Sequence, residues 1–261
     1  MVPWAPETEQ QSSSFGILPS MLISHSHRFI FIKTVKTAGT SVEAFLEPYC
    51  CPPGHQVQHW TPTLISDYGV VGRRWPQNDC DDFGYYNHMS AAEIRERFAD
   101  FDGYTRITTV RDPYDRAVSA FHYAHETWRP EGGIPLEQAI ALVASGQGDQ
   151  LQQLFVYFLE QGLADDQAML TIDDELVVDH WIRYESLVPD LERLVTALAL
   201  PLQGSVQDHL PQFKRNRLGR TDVPPVHAYL SPRALELIHA SSKLSFSCFG
   251  YRQLNHATIG E

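Results

Sequence analysis

Apolar positions in this chain come in short runs, and two of the runs lead through a polar turn into a helix-period segment. Arg28-Phe29-Ile30-Phe31-Ile32-Lys33 is aromatic or β-branched at every inner position, the pattern of a buried strand. The polar turn Thr34-Val35-Lys36-Thr37-Ala38-Gly39-Thr40-Ser41 follows it. Thr40 and Glu43 then stand as a capping box, and Val42, Phe45 and Leu46 supply an apolar face, which predicts a helix. Residues 104–110 read as a second buried strand, running into Arg111-Asp112-Pro113. Asp112 suits an N-cap, Pro113 the first helical position, and Ala117, Val118 and Phe121 a buried face.

Between these units, Ser90 and Glu93 form another capping box, opening a helix to about Ala99 with Ile94 and Phe98 as its core residues. Residues 129–175 read as helices and loops with a glycine break at Gly146 to Gly148. Residues 176–184 alternate like a strand, and Leu191, Leu194, Val195 and Leu198 mark a helix after it. Ser231 and Pro232 open a last helix, and Phe249-Gly250-Tyr251 closes the pattern. The expected organisation is a weakly ordered arm at 1–27, a single domain at 28–252 and a tail at 253–261. At 261 residues, one α/β domain fits the length. Residues 48–82 are rich in Pro, Gly and aromatics without periodicity, which reads as a functional loop or lid holding His55, His59 and Trp60.

Charge narrows the function classes. A net charge of −12 argues against a nucleic-acid partner, which calls for a basic surface. Lys214, Arg215, Arg217 and Arg220 cluster against that background, either as a solvated loop or as part of a binding groove. The four cysteines, Cys50, Cys51, Cys80 and Cys248, have no CxxC spacing, so reduced structural thiols and no metal are expected. No run of residues approaches a membrane span, and residues 1–14 lack the features of a secretion signal.

The candidate chemistry lies at the two strand-to-helix turns. A small-residue loop at a helix N-terminus offers backbone N–H groups and the positive end of the dipole, and Lys36 adds a full charge. That is an anion cradle. Arg111 projects from a strand end and Ser119 follows two turns into the helix, a pairing suited to a phosphate. His88 sits just ahead of the Ser90 helix, where it can act on a ligand or simply cap and pack.

Lys36-Thr37-Ala38-Gly39-Thr40-Ser41 resembles the 5′-phosphosulfate loop of the sulfotransferases, with Val35 where many members have proline. The stretch from Val110 to Phe121 resembles the signature that grips the 3′-phosphate of 3′-phosphoadenosine 5′-phosphosulfate (PAPS), with Asp112 replacing a frequent asparagine. Ile182-Arg183-Tyr184-Glu185-Ser186-Leu187 resembles a strand-ending segment common downstream in the family, and the segment around Tyr85-Tyr86-Asn87-His88-Met89 is similar to bacterial members of the carbohydrate-type branch.

The resemblance implies a central parallel sheet flanked by helices, a P-loop nucleotide-kinase-like sulfotransferase fold. It implies PAPS as sulfuryl donor and PAP as product, held by Lys36, Thr37, Ala38, Gly39, Thr40, Ser41, Arg111 and Ser119. Lys36 and His88 would be catalytic, with His88 the general base and Glu93, His122, His125 and Glu185 in reserve. The acceptor would be a hydroxyl, first of all on a glycan, and the setting a bacterial cytoplasm. A P-loop-like kinase of a small metabolite, or a nucleotide-binding protein without turnover, remain the alternatives. The reversed lysine-glycine order speaks against the kinase.

Overall fold

The computed structural model describes residues 21–57, 63–72, 88–127, 133–163, 166–211 and 222–255. Strands β1 (Met21–Ser24) and β2 (Phe29–Ile32) form a hairpin, and helix α1 (Gly39–Leu46) follows. A second hairpin, β3 (Leu64–Ser66) and β4 (Gly69–Val71), precedes α2 (Ala91–Arg97). Strand β5 (Thr105–Val110) leads into α3 (Pro113–Thr127), and then come α4 (Leu136–Ala144), α5 (Gly148–Glu160) and α6 (Asp166–Leu170). The short ribbon β6 (Thr171–Ile172) and β7 (Glu175–Leu176) precedes β8 (His180–Arg183) and α7 (Leu187–Ala197). Helices α8 (Val206–His209), α9 (Pro232–Ser241) and α10 (Lys243–Ser247) complete the chain.

The central sheet runs β3-β4-β1-β2-β5-β8. Its site-bearing half, β2, β5 and β8, is parallel, as expected. The other half is antiparallel, with β4 running the same way as β2 while β1 and β3 run against it. Leu22, Phe29 and Phe31 face α1 and α7, whereas Met21, Ile23, Ile30 and Ile32 face α2 and the C-terminal segment. Both faces are covered, which is why these strands read as continuous apolar runs. A third cluster, around Phe121, Phe155 and Tyr229, lies among α3, α4, α5 and α9.

Three sequence expectations change. Residues 21–24, placed in the arm, are a fully buried strand that pairs β2 on one side and β4 on the other. Part of the 48–82 loop is sheet, because Val70 and Val71 are buried against β1. The tail expected from residue 253 is docked at its start, where the Leu254 amide donates to the Tyr114 hydroxyl at 2.7 Å. His59, Trp60, Tyr85 to Asn87 and the basic cluster 214–220 lie outside the described residues. Among the described residues, no helix is long and apolar enough to cross a membrane.

Three of the caps read from sequence are formed. Ser90 and Glu93 make their reciprocal box, Asp112 accepts from the amides of Tyr114 and Asp115, and Ser231 accepts from Ala234. Gly69 is required for a different reason. A Cβ there would stand 2.1 Å from the Ile23 carbonyl oxygen, inside the β1–β4 ladder. Gly69→Ala is therefore expected to cost about 1–3 kcal/mol as an overpacking change, measured by urea unfolding. Gly148→Ala, with nothing within 4 Å of its Cβ position, should stay within about 0.5 kcal/mol of the parent.

Candidate functional site

The first turn is built on a buried charge. Lys33, at the end of β2, runs its side chain beneath α1 to Glu43, with Nζ 2.8 Å from Oε2 and both side chains buried. Gly39 makes room for it, since a Cβ there would meet Lys33 Cγ at 2.6 Å. The expected Thr40–Glu43 capping box is not formed, because Glu43 is drawn inward to Lys33. Leaving a buried ammonium unpaired costs several kcal/mol, more than the roughly 1 kcal/mol a cap is worth. Helix α1 starts instead from Ala38, in the left-handed region at φ 66°, with no side-chain cap. Its first amides are left to the turn.

Lys36 is also left-handed, at φ 62°. Such conformations in residues other than glycine cost on the order of 1 kcal/mol or more each and collect at ligand clamps. The turn is held from behind by hydroxyls. Thr37 Oγ1 lies 2.7 Å from Thr109 Oγ1 and 2.9 Å from Thr34 Oγ1, all buried. The Thr37 hydroxyl is thus spent on bracing, which leaves its backbone amide as the part that could meet a ligand. Ser41 is buried at the base of the turn, while Lys36, Ala38 and Thr40 are half-buried along it.

The second turn is stitched to the first by Arg111. Its Nη1 donates to the Lys36 carbonyl at 3.1 Å, and Nε and Nη2 reach Asp115 Oδ2 at 2.7 and 2.6 Å. The guanidinium also stacks on Tyr184, 4.0 Å from the ring centroid. A guanidinium has five N–H donors, so both terminal nitrogens retain capacity for a further acceptor beyond these contacts.

Helix α3 presents one stripe to the loop. Arg116 Nε donates to the Val35 carbonyl at 2.9 Å, and its other end pairs with buried Asp166. Tyr123 carries the Lys36 ammonium over its ring at 3.7 Å. Asp115, Ser119 and Tyr123 are four apart, so Ser119 lies on the same face between the two contacts. Sequence reasoning placed Arg111, Ser119 and Lys36 but missed Asp115 and Tyr123. Their i, i+4 spacing about Ser119 was the available signal.

His88 closes the loop from the other side. The Lys33 carbonyl, 2.7 Å from Nδ1, can only accept, so Nδ1 carries the proton and Nε2 keeps its lone pair. Burial, then the Lys33 ammonium and least of all Arg116, lower its pKa to about 3, against the opposing effects of that hydrogen bond and Glu43. The ring is neutral at pH 7. Its backbone is left-handed, at φ 58°.

The other basic candidates are engaged or elsewhere. Glu93 accepts from both the amide and hydroxyl of Ser90. His122 is buried in the helical cluster, with one ring nitrogen on the Ile134 carbonyl and the other on Tyr229. Glu185 accepts from the Asp112 amide at 2.6 Å and from Tyr251 at 2.9 Å. His125 is exposed in the last turn of α3. A cluster outside the site also escaped the sequence reading: Glu47, Cys51 and His55 bring their donor atoms within 4.8 Å of one another.

A family model described as the sulfotransferase family matches residues 19–252. No curated protein and no solved structure matches the chain.

The Lys33–Glu43 pair should dominate the stability of this region. Lys33→Met alone leaves a buried carboxylate and is expected to cost about 3–5 kcal/mol by chemical denaturation. Adding Glu43→Leu should recover much of that loss. A single variant as stable as the parent would show that the pair does not hold the turn.

Proposed function

Because the chain belongs to the sulfotransferase family, we propose that it transfers a sulfuryl group from PAPS to an acceptor hydroxyl with His88 as general base. The observation that carries this reading is the convergence of three parts on one loop. The start of α1, which has no side-chain cap, lies within residues 33–41, and Arg111 and the Nδ1 side of His88 both bond to that stretch. The donor fits these residues. Amides at the α1 N-terminus and Lys36 suit a phosphosulfate, and Arg111 with Ser119 suits a ribose 3′-phosphate.

The bound donor supplies an electrophilic sulfur joined to a phosphate leaving group. His88 Nε2 accepts the acceptor hydroxyl proton as the new oxygen–sulfur bond forms and the old sulfur–oxygen bond breaks, with PAP as product. The Lys33 carbonyl holds the ring in the tautomer this needs and stabilises the imidazolium that results. Lys36, steadied by Tyr123, neutralises charge gathering on the departing phosphate. Positioning and electrostatics carry most of the rate, as in phosphoryl transfer. The acceptor we favour is a glycan hydroxyl, on the resemblance to carbohydrate-type members. Screening labelled sulfate transfer from PAPS into polysaccharides and small metabolites tests both activity and acceptor. Nucleotide binding without transfer to any acceptor would favour the non-catalytic reading.

Binding of PAP should exceed that of AMP by about 2–5 kcal/mol, the worth of a desolvated charge pair at the 3′-phosphate. Arg111→Ala should erase the difference. Equal affinities for PAP and AMP by calorimetry in the parent would overturn this assignment.

His88→Ala should bind PAP normally and lose roughly 10²–10⁴-fold in turnover. With the imidazole pKa near 3, its protonation should not lower the rate between pH 7 and about pH 5. A rate loss assigned to His88 and centred at its ordinary value near 6.5 would contradict the observed environment. Stability carries the complementary signature. The unfolded chain protonates His88 below about 6.5 and the folded chain does not until about 3, so stability falls as pH drops through that window. His88→Gln should flatten that slope in thermal melts.

A further inference from the structure

We propose that Glu47, Cys51 and His55 form a zinc site at the C-terminal end of α1, remote from the transfer chemistry. The three residues follow one another at intervals of four, but the chain there is not a continuous helix. Helix α1 ends at Leu46, a 3-10 turn spans Glu47–Cys50, and Cys51 is extended. Pro52 and Pro53 then turn the chain, and the His55 amide donates back to the Pro52 carbonyl at 3.2 Å. That turn returns the His55 ring to Glu47, with Nε2 2.7 Å from Oε1.

The chemistry of the set points to zinc. A carboxylate oxygen, a thiol sulfur and an imidazole nitrogen all lie within 4.8 Å of one another. Donors around a tetrahedral zinc at about 2.0–2.3 Å stand roughly 3–4 Å apart, so an ion would replace the 2.7 Å Glu47–His55 hydrogen bond, that pair widening while the set as a whole shifts only slightly. Sulfur and imidazole together disfavour magnesium and calcium, which take oxygen. Glu47 is fully buried, Cys51 is 4% exposed and the His55 side chain is 22% exposed. His55 is the most exposed of the three, so a fourth ligand would come from that side as water. On binding, Cys51 gives up its proton to solvent, so the thiolate and the Glu47 carboxylate together balance the divalent charge. The negative end of the α1 dipole favours a cation at the same place.

The site has a structural use. The 3-10 turn holding Glu47 packs on the antiparallel half of the sheet, where Ser24 Oγ donates to the Tyr49 carbonyl. An ion there would clip the turn at 52–55 to α1 and to β1. The cradle lies at the other end of α1, about 12 Å away along an eight-residue helix.

The test uses the full chain. Protein purified without added metal should contain one equivalent of zinc by elemental analysis. After chelation, titration with Co²⁺ should give a thiolate-to-cobalt charge-transfer band and the strong visible bands of tetrahedral cobalt. Cys51→Ser should abolish the charge-transfer band, while Cys50→Ser and Cys248→Ser keep it. His55→Ala, a partly exposed position that should fold, should weaken zinc binding at least tenfold and remove the rise in melting temperature that zinc gives the parent. A chelated parent that folds and shows no charge-transfer band with Co²⁺ would overturn the site. So would a band that survives Cys51→Ser or disappears in Cys248→Ser.

Discussion

The buried Lys33–Glu43 ion pair is the interaction on which the rest of the site depends. An ammonium at the end of a core strand cannot remain without a counter-charge, and Glu43 is the carboxylate that reaches it. Meeting that demand docks α1 against β2 and forbids a Cβ at Gly39. It also takes Glu43 away from the helix start, so the first amides of α1 have no side-chain cap. The Lys33 backbone serves a second purpose, since its carbonyl fixes the tautomer of His88. One desolvated charge thus sets the helix, the shape of the cradle and the orientation of the candidate base.

The remaining cations of the site are handled on the same principle. Arg111 is held by Asp115 and Arg116 by Asp166, while Lys36 rests on an aromatic face. In a chain of net charge −12, attraction of an anionic ligand over long range is weak. Recognition then falls to short-range, preorganised donors. Holding the Arg111 guanidinium in a fixed fork, with hydrogen-bonding capacity left on its terminal nitrogens, restricts the entropy lost on binding. Two left-handed residues in the cradle, Lys36 and Ala38, carry the backbone strain of that arrangement.

Much of this was legible because it is local. The runs at 29–32 and 105–110, the Asp112-Pro113 start of α3 and the caps at Ser90 and Ser231 depend on residues within a few positions of each other. The places where the sequence reading failed involve partners far along the chain. Strand β1 consists of Met-Leu-Ile-Ser, too short for a period, and its identity as a strand rests on pairing with β2 and β4. The β3–β4 hairpin is hidden in a loop-like composition for the same reason.

The sequence by itself determined the strand-loop-helix units and the residues proposed to meet phosphate and sulfate: Lys36, Gly39, Arg111 and Ser119. It also carried His88, without its environment. Only the tertiary structure decided that Glu43 is a counter-ion and no cap, that the Thr37 hydroxyl faces inward, and that His122 is a core residue. It alone brought Glu47, Cys51 and His55 together. The physical reason is common to all of them. Capping and turn preferences are worth about 1 kcal/mol and act between near neighbours, whereas a buried charge or hydroxyl costs several kcal/mol unless paired. Where the two conflict, burial prevails, and burial is a property of the packed chain.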